Sequence, residues 1–334
     1  MKHLAVLTSG GDAPGMNAAI RAVVRAAVHN GIKISAVHRG YQGLVDAADG
    51  KSDQPTVEEF GPRSVANIIQ HGGTILRTAR CLEFYEPEGR ARAASALKAR
   101  GIEGLIVIGG DGSFRGASLL HEEHGFQCVG VPATIDNDIG GTDETIGFNT
   151  AINIALEAVD RLRDTAASHD RLFLVEVMGR NAGHIALHVG LAGGAEAICV
   201  PEPAHALTAG AVYEMVQKAH RRGKCSSIIL VAEGAFGGGG AMALQRELQR
   251  RTVEYEVRTS ILAHIQRGGS PTTADRVLAS LLGRVAVDKI LAGETGVMVG
   301  RSRGETVTVP LQRVFGEKRK LNSELLRTAR VLAV

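Results

Sequence analysis

Short apolar runs alternate along the chain with longer stretches in which apolar residues recur every three or four positions. The short runs predict β-strands at residues 4–8, 33–38, 104–108, 127–131, 171–177, 197–200, 227–232 and 259–265. The longer stretches predict α-helices at residues 17–29, 91–100, 114–124, 147–163, 181–191, 208–221 and 272–292. This alternation is typical of the α/β class, in which doubly wound, mostly parallel sheets carry helices on both faces.

Two segments illustrate the pattern. The first predicted helix carries one apolar stripe, formed by Ile20, Val23, Val24, Ala27 and Val28. The run Leu105-Ile106-Val107-Ile108 is apolar on both faces, as a parallel strand covered by helices must be. Ligands of such sheets bind at the carboxyl ends of the strands, so the turns that follow the strands are the candidate sites.

Length and charge narrow the class of protein. A chain of 334 residues is long for one hydrophobic core, so we expect two Rossmann-like lobes with the active site in the cleft between them. The net charge is only +3, and the chain has no tryptophan. A nucleic-acid binder usually concentrates positive charge with interleaved aromatic residues, so we expect no nucleic-acid partner. The 42 glycines suggest many tight turns of the kind that hold phosphates.

The cysteines and the apolar runs indicate the compartment. The four cysteines are scattered without metal-ligand spacing, at Cys81, Cys128, Cys199 and Cys225. We interpret them as free thiols in a reducing environment. No signal-peptide pattern precedes the first strand, and no apolar run approaches the length of a membrane span. We therefore expect a cytoplasmic protein with no membrane partner.

The first predicted strand leads into a glycine-rich turn, Thr8 to Asn17, and then into a helix. Its three glycines would let the backbone approach a phosphate, and the helix start adds N–H donors and the positive end of a dipole. The alternative is a tight strand-to-helix turn without a ligand. The turn matches neither a Walker loop nor a dinucleotide fingerprint.

A second turn of this kind, Gly109 to Ser113, contains the carboxylate of Asp111. Magnesium favours one or two carboxylates together with substrate phosphates, so Asp111 is the candidate ligand of Mg²⁺. The alternative is an N-capping aspartate.

A third strand end gives the segment Pro132 to Asp138. If this segment is extended, Thr134, Asp136 and Asp138 lie on the same side of the backbone. A phosphoryl acceptor needs a base for its hydroxyl proton, and either aspartate fits that role. The alternative is a turn rich in Asx residues.

These segments together resemble the bacterial type of the ATP-dependent 6-phosphofructokinase family of glycolysis. The resemblance extends from Thr8 to about residue 300, with the motifs in family order. It is most specific at Thr134-Ile135-Asp136-Asn137-Asp138 and at His264 to Pro271. Further matches are Thr78-Ala79-Arg80, Val177-Met178-Gly179-Arg180, Glu233-Gly234 and Arg258. Lipid kinases and NAD kinases share only the turn at residues 109–113.

The resemblance implies roles in phosphoryl transfer from ATP. Asp136 would be the general base for the sugar 1-hydroxyl, and Asp111, with Asp138 nearby, would manage Mg²⁺. Charge on the transferring phosphoryl group would meet Thr134, Arg80, Arg180 and the backbone of Gly11. Nucleotide contacts are implied for Gly11, Tyr41, Arg80, Cys81, Gly110, Asp111, Gly112 and Ser113.

It also implies a site for fructose 6-phosphate. The phosphate of this sugar would contact Arg171, Arg258, His264 and Arg267, and the sugar would contact Met178, Gly179, Arg180 and Glu233. For His264 the alternative is a core histidine on a strand. In this family two of the arginines, Arg171 and Arg258, serve the neighbouring subunit, which implies a homotetramer. The implied lobes are residues 1–146 with 266–312 for ATP, and 147–265 with 313–334 for the sugar phosphate.

An allosteric pocket for ADP or phosphoenolpyruvate is also implied. Its residues would be Arg21, Arg25, Arg163, Glu196, Arg222 and Lys224. By spacing alone, Arg21 and Arg25 favour a solvated helix face. The chain departs from the family pattern in this pocket at Pro62-Arg63 and Cys225, and near the nucleotide at Cys81 and Tyr85.

Three alternatives differ in activity. Pyrophosphate-using relatives carry aspartate and lysine where this chain has Gly112 and Ala133, so these residues favour ATP as donor. A catalytically silent nucleotide-sensing subunit would bind both ligands without turnover. Other sugar phosphates, such as those of seven carbons, stay open as acceptors.

Overall fold

The computed structural model describes residues 1–50, 55–168, 171–224, 226–251 and 256–333. The strands are β1 His3–Ser9, β2 Lys33–Val37, β3 Val57–Phe60, β4 Gly104–Gly109, β5 Gln127–Pro132, β6 Arg171–Val177, β7 Ala197–Cys199, β8 Ser227–Ala232, β9 Glu256–Ile261, β10 Val297–Ser302 and β11 Glu305–Pro310. The helices are α1 Met16–His29, α2 Gly40–Asp49, α3 Pro87–Ala99, α4 Asp111–His124, α5 Phe148–Ala167, α6 His184–Ala192, α7 Ala209–Arg221, α8 Ala235–Gly238, α9 Gly240–Gln249, α10 Thr273–Leu291, α11 Leu311–Gly316 and α12 Ser323–Leu332.

The chain folds into two compact units. The first contains residues 1–134, 139–149 and 267–319. Its seven-stranded sheet has the order β11-β10-β5-β4-β1-β2-β3. The inner pairings are parallel, and the edge strands β3 and β11 are antiparallel to their neighbours. The carboxyl ends of β1, β4 and β5 therefore lie at the same edge of the sheet.

The second unit contains residues 135–138, 150–266 and 320–334. Its four described strands have the order β7-β8-β6-β9, and all of their pairings are parallel. The predicted α/β class with mostly parallel sheets is confirmed in both units.

Burial follows the sequence pattern, with one exception. The four residues from Leu105 to Ile108 in β4 are fully buried, as expected for a strand covered on both faces. In α1 the predicted stripe is buried at Ile20, Val23, Val24 and Ala27. Val28 is 38% exposed, so its place in the stripe was wrong. Eight residues beyond Ile20 correspond to about 80° around the helix, which puts Val28 at the margin of the buried face.

The predicted strand at 259–265 was wrong in its second half. Strand β9 ends at Ile261, and residues Ala263–Arg267 form a 3₁₀ turn. The amide of Leu262 still donates to the carbonyl of Glu176 on the neighbouring strand. At Ala263 the backbone takes a φ of 44°, which ends the extended conformation.

Three of the predicted free thiols, Cys81, Cys128 and Cys199, are free and buried. Burial raises the pKa of Cys128 and of Cys199 to about 12. Cys225 lies outside the described residues. Among the helices in the described ranges, none has the length and apolar character needed to cross a membrane.

Candidate active site

The first glycine turn joins β1 to α1 in the first unit. Gly10 and Gly15 have φ angles of 88° and 110°, a region that favours glycine, and Gly15 is the N-cap of α1. No side chain caps this helix start. The turn therefore presents backbone N–H groups and the positive end of a 14-residue helix, a combination that binds anions.

The second glycine turn lies against the first, because β1 and β4 are adjacent and Ser9 is in register with Gly109. A Cβ on Gly109 would lie 2.4 Å from the carbonyl oxygen of Ser9. A Cβ on Gly10 would lie 3.4 Å from the hydroxyl oxygen of Ser113. Two turns rich in glycine, each opening a helix, are thus packed together, and this arrangement suits a ligand with several phosphates.

Asp111 is the first residue of α4, and its side chain is exposed. Its Oδ1 accepts from the amide of Gly112 at 2.7 Å. Among the described residues, no group of three or more His, Cys, Asp or Glu side chains gathers in a way that could hold a metal ion. A single exposed carboxylate beside a glycine-rich turn fits a Mg²⁺ ion whose other ligands are the phosphates of a bound ligand, because magnesium keeps few protein ligands.

Tyr41 lies beneath the second turn. Its hydroxyl donates to the carbonyl of Ser113 at 2.5 Å, and its ring stacks on Phe84 with the ring centroids 4.1 Å apart. Burial raises the pKa of Tyr41 well above its usual value. A Cβ on Gly116 would lie 2.8 Å from the Tyr41 ring, so only glycine leaves room for this packing. The side chain therefore supports the start of α4 from below.

The residues around Tyr41 differ in exposure. Cys81 is buried, whereas Tyr85 is 73% exposed. Arg90 donates from Nη1 to the carbonyls of Phe84 and Tyr85 at 3.0 and 2.7 Å. This contact fixes the 3₁₀ turn Glu83–Tyr85, which carries one of the departures from the family pattern, Tyr85.

Arg267 was predicted to contact the sugar phosphate, and the structure places it beside the first glycine turn. Its Nη1 donates to the carbonyl of Asp12 at 2.9 Å. Arg80 is exposed, and no hydrogen bond or ion pair of its side chain occurs among the described residues. Of these two arginines, Arg267 is held at the turn and Arg80 is available to a ligand.

The segment from Thr134 to Asp138 is not extended, so the predicted alternation of its side chains was wrong. Residues 135 and 136 form a turn, and Asn137 has a φ of 52°. Asparagine tolerates this left-handed conformation better than most residues. The carbonyl of Thr134 accepts from the Thr145 hydroxyl at 2.7 Å. Asp136 is 4% exposed, whereas Asp138 is half-buried.

In the second unit, β6 ends in the turn Met178-Gly179-Arg180. Gly179 and Arg180 have φ angles of 141° and 51°. Glu233 holds this turn, because its Oε1 accepts from the amides of Gly179 and Arg180 at 3.1 and 2.6 Å. The buried Gln266 adds a third contact by accepting from the amide of Met178 at 2.9 Å. Our sequence reasoning missed Gln266, whose only signal was its place in the motif at 264–271.

A pocket of about 430 Å³ opens beside this turn within the second unit. It is lined by Glu176, Arg180, Asn181, Glu233, Gly234, Gly238, Gly239, Gly240, Met242 and Ile261. The exposed Arg180 side chain has no hydrogen-bond or ion-pair partner among the described residues. Both carboxylates of the pocket, Glu176 and Glu233, accept from backbone amides, so Arg180 is its cationic group for an anionic ligand.

Arg171 and Arg258 share the carboxylate of Glu256. Arg171 donates from Nε to Oε2 at 2.9 Å, and Arg258 pairs with Oε1. The hydrogen bond from Arg171 lowers the pKa of Glu256. His264 is exposed on the 3₁₀ turn, which excludes the alternative of a core histidine on a strand. The structure thus brings two of the predicted phosphate ligands together at β6 and β9.

The residues predicted for an allosteric pocket are divided between the units. Arg21 and Arg25 lie one turn apart on α1. In the second unit Arg163 donates to the carbonyl of Gly194 at 3.0 Å, and Lys224 pairs with the buried Glu196 at 2.5 Å. Arg222 is exposed. Residues 163, 196 and 224 therefore meet around the segment that leads into β7.

Comparison with known proteins adds independent evidence. The family model described as Phosphofructokinase matches residues 3–290. The ATP-dependent 6-phosphofructokinase 1 of Thermus thermophilus is 56% identical over 334 residues and covers 100% of both chains. The ATP-dependent 6-phosphofructokinase of Halalkalibacterium halodurans is 51% identical over the same coverage.

A solved structure of phosphofructokinase from Saccharomyces cerevisiae matches 100% of this chain with a TM-score of 0.87 and 35% sequence identity. The chain spans 48% of the length of that yeast chain. Sequence and fold agree along the whole chain, and it belongs to the phosphofructokinase family.

Proposed function

We propose that this chain is an ATP-dependent 6-phosphofructokinase, which transfers the γ-phosphoryl group of ATP to the 1-hydroxyl of fructose 6-phosphate. The products are fructose 1,6-bisphosphate and ADP. The observation that carries the proposal is the pair of adjoining glycine turns at the ends of β1 and β4. They offer two helix starts and one carboxylate to a polyphosphate, in a chain more than half identical to enzymes of that name.

The first unit supplies the nucleotide contacts in this proposal. The ATP-binding lobe is proposed at residues 1–146 and 266–312, most of which belong to the first unit, and its turns at Gly11 and Gly110 to Ser113 hold the phosphates. Tyr41 supports Ser113, and Cys81 lines the nucleotide site. Asp111 would hold Mg²⁺, which when bound neutralises charge on the nucleotide phosphates.

The donor is ATP in preference to pyrophosphate. A Cβ on Gly112 would meet nothing within 4 Å, so this position leaves open space beside the phosphate turn. A carboxylate there would fill that space with negative charge and repel a nucleotide phosphate. Glycine at residue 112 therefore favours ATP over pyrophosphate as the phosphoryl donor.

Charge on the transferring phosphoryl group is the main demand of the reaction, because this group carries negative charge on three oxygens. Arg80 and Arg180 meet it with guanidinium groups that have no ion-pair partner among the described residues. Thr134 and the backbone of Gly11 add hydrogen bonds. Asp136 accepts the proton of the acceptor hydroxyl, and a positioned base of this kind contributes roughly 10²–10⁴-fold.

Most of the sugar-phosphate contacts in this proposal belong to the lobe of residues 147–265 and 313–334. Met178, Gly179, Glu233 and Asp138 lie toward the sugar, and Glu233 also keeps the turn of Arg180 in place. Arg171, Arg258, His264 and Arg267 bind the 6-phosphate, since guanidinium groups match phosphate oxygens.

We further infer a cytoplasmic homotetramer in which Arg171 and Arg258 serve the neighbouring subunit. Both side chains contact the carboxylate of Glu256, so they form one cationic group that can bind a phosphate of the neighbouring subunit's substrate. An ADP or phosphoenolpyruvate effector binds the residues Arg21, Arg25, Arg163, Glu196, Arg222 and Lys224.

One assay of purified protein tests the reaction. ADP release is measured with Mg²⁺, ATP and fructose 6-phosphate, and compared with phosphate release from pyrophosphate under the same conditions. A seven-carbon sugar phosphate is offered as a second acceptor. We expect kcat/KM to be far higher with ATP and fructose 6-phosphate than with pyrophosphate as donor or with the seven-carbon sugar phosphate as acceptor. Binding of both ligands without ADP release would instead identify a silent nucleotide-sensing subunit.

A further inference from the structure

Asn17 holds a neighbouring loop through all of its side-chain hydrogen-bonding groups. It lies in the first turn of α1, directly after the first glycine turn, and is 1% exposed. Its Nδ2 donates to the carbonyls of His71 and Gly72 at 3.1 and 3.2 Å. Its Oδ1 accepts from the amide of Ile75 at 2.8 Å. One side chain therefore fixes both ends of the segment 71–75.

Further contacts continue this anchorage toward Arg80. The hydroxyls of Thr8 and Thr74 are 3.0 Å apart, and the Thr8 hydroxyl also donates to the carbonyl of Arg77 at 3.0 Å. The amide of Arg39 donates to the carbonyl of Leu76 at 2.7 Å. The chain is thus tied down from residue 71 to residue 77, three residues before Arg80.

The same segment touches the loop that follows Arg267. A Cβ on Gly72 would lie 2.2 Å from the carbonyl oxygen of Gly269. Only glycine therefore fits at residue 72, and packing this close allows little sliding of one loop past the other. A change at Asn17 would therefore shift the segment at its anchored end, and the shift would be carried along the backbone to Arg80.

We propose that Asn17 is a positioning residue for phosphoryl transfer, which sets the place of Arg80 relative to the first glycine turn. This inference rests on the proposed function, in which Arg80 meets charge on the transferring phosphoryl group. Asn17 does not need to touch a substrate for this role. It couples the turn that holds the phosphates to the loop that carries the cation.

The chemistry of the amide makes the proposal specific. Two donors and one acceptor are in use at Asn17, and aspartate has the same shape but only acceptors. In Asn17→Asp the hydrogen bond from Ile75 can persist, whereas a carboxylate oxygen faces the carbonyls of His71 and Gly72. Repulsion there moves the segment, and a displacement of about 1 Å from such a remote change can cost about 100-fold in rate.

The experiment compares Asn17→Asp and Asn17→Ala with Asn30→Asp. Asn30 is the C-cap of the same helix, and its Nδ2 donates to the carbonyl of Ala26 at 2.8 Å on the exposed surface. Steady-state kinetics with ATP and fructose 6-phosphate should show kcat lowered between about 10- and 100-fold in both Asn17 variants. KM for fructose 6-phosphate should stay within about twofold, and Asn30→Asp should match the wild type.

A double-mutant cycle with Arg80→Ala separates positioning from general stability. If Asn17 acts through Arg80, Asn17→Ala should lower kcat much less in the Arg80→Ala background than in the wild type. An equal fall in both backgrounds would overturn the proposal. So would an unchanged kcat in both Asn17 variants, or failure of both to fold while Asn30→Asp folds.

Amide hydrogen exchange supplies a readout that does not depend on turnover. Exchange at Ile75 and Leu76 should be faster in Asn17→Ala than in the wild type, with the centre of α1 unchanged. If the wild type releases no ADP, the proposed function is contradicted. Faster exchange at Ile75 in Asn17→Ala would still show that Asn17 anchors the segment 71–75. If the wild type is active and exchange at Ile75 is the same in Asn17→Ala as in the wild type, the role of Asn17 is contradicted and the proposed function is not.

Discussion

Arg267 lies against Gly11 in the first unit. Its Nη1 donates to the carbonyl of Asp12 at 2.9 Å, and a Cβ on Gly11 would lie 2.5 Å from that nitrogen. The absence of a side chain at Gly11 is therefore required by the packing of Arg267, whatever ligand the turn binds. It leaves room for a guanidinium beside the anion-binding turn.

Gly11→Ala tests this relationship. The φ of Gly11 does not lie in the left-handed region, so alanine fits the backbone, and the Arg267 side chain must move. A displaced guanidinium that loses one hydrogen bond to the sugar phosphate forfeits about 1.5 kcal/mol of binding, so KM for fructose 6-phosphate should rise about tenfold in steady-state assays. Gly316→Ala, at a position with open space around it, should leave KM unchanged. If KM is unaltered in Gly11→Ala, Arg267 does not bind the phosphate of the sugar.

Asp136→Ser tests the assignment of the general base. The carboxylate of Asp136 is almost fully buried, and serine is smaller and cannot accept the proton at neutral pH. We expect kcat to fall roughly 10²–10⁴-fold with KM for fructose 6-phosphate little changed. Asp138→Ser is the matched comparison on the same turn. A larger loss of kcat in Asp138→Ser than in Asp136→Ser would show that Asp138, and not Asp136, is the general base.

The sequence predicted the glycine turns and eight of the described strands, because their signals are local, but it missed β3, β10 and β11. Strand β4 is a continuous apolar run, and each glycine turn directly follows a strand. The sequence failed at Ala263 and Asn137, where a positive φ ends an extended segment without glycine. Alternation of side chains then predicts a shared side for Thr134, Asp136 and Asp138 that the backbone does not provide.

Hydrogen bonds between segments far apart in the chain could not be predicted from the sequence either. Asn17 and Ile75 are 58 residues apart, and Met178 and Gln266 are 88 apart. Nothing in the local pattern of either pair indicates a hydrogen bond, because amide side chains lie mostly on solvated surfaces. The topology of each unit is needed before such positioning residues can be recognised.

Gly112→Asp tests the choice of phosphoryl donor. The position is the second residue of α4 with open space around it, and a carboxylate is favourable at a helix start, so the fold should be retained. Like charges about 4 Å apart near a protein surface repel by about 4 kcal/mol, so kcat/KM for ATP should fall by at least about tenfold. Gly112→Ala adds bulk without charge and should lose much less. Equal losses in the two variants would mean that space, and not charge, decides the donor.

Glu123→Gln tests the ion pair between Glu123 and Arg90, beside the 3₁₀ turn Glu83–Tyr85, by its dependence on pH. Arg90 donates to both carboxylate oxygens of Glu123 at 2.6 and 2.7 Å, and this contact lowers the pKa of Glu123. A carboxyl whose pKa is lower in the folded state adds stability above its unfolded pKa of about 4.3, and this stability is lost as the pH falls through the folded pKa.

The variant should therefore be less stable than the wild type by about 2 kcal/mol at pH 7, and the difference should shrink below about pH 4. Urea unfolding at a series of pH values measures it. Glu157→Gln removes an exposed pair with Arg161 and should change stability little at any pH, because surface pairs are worth little. A difference for Glu123→Gln that persists unchanged to pH 3 would show that the charge of Glu123 does not stabilise the fold. Arg90 would then hold the carbonyls of Phe84 and Tyr85 without help from its carboxylate partner.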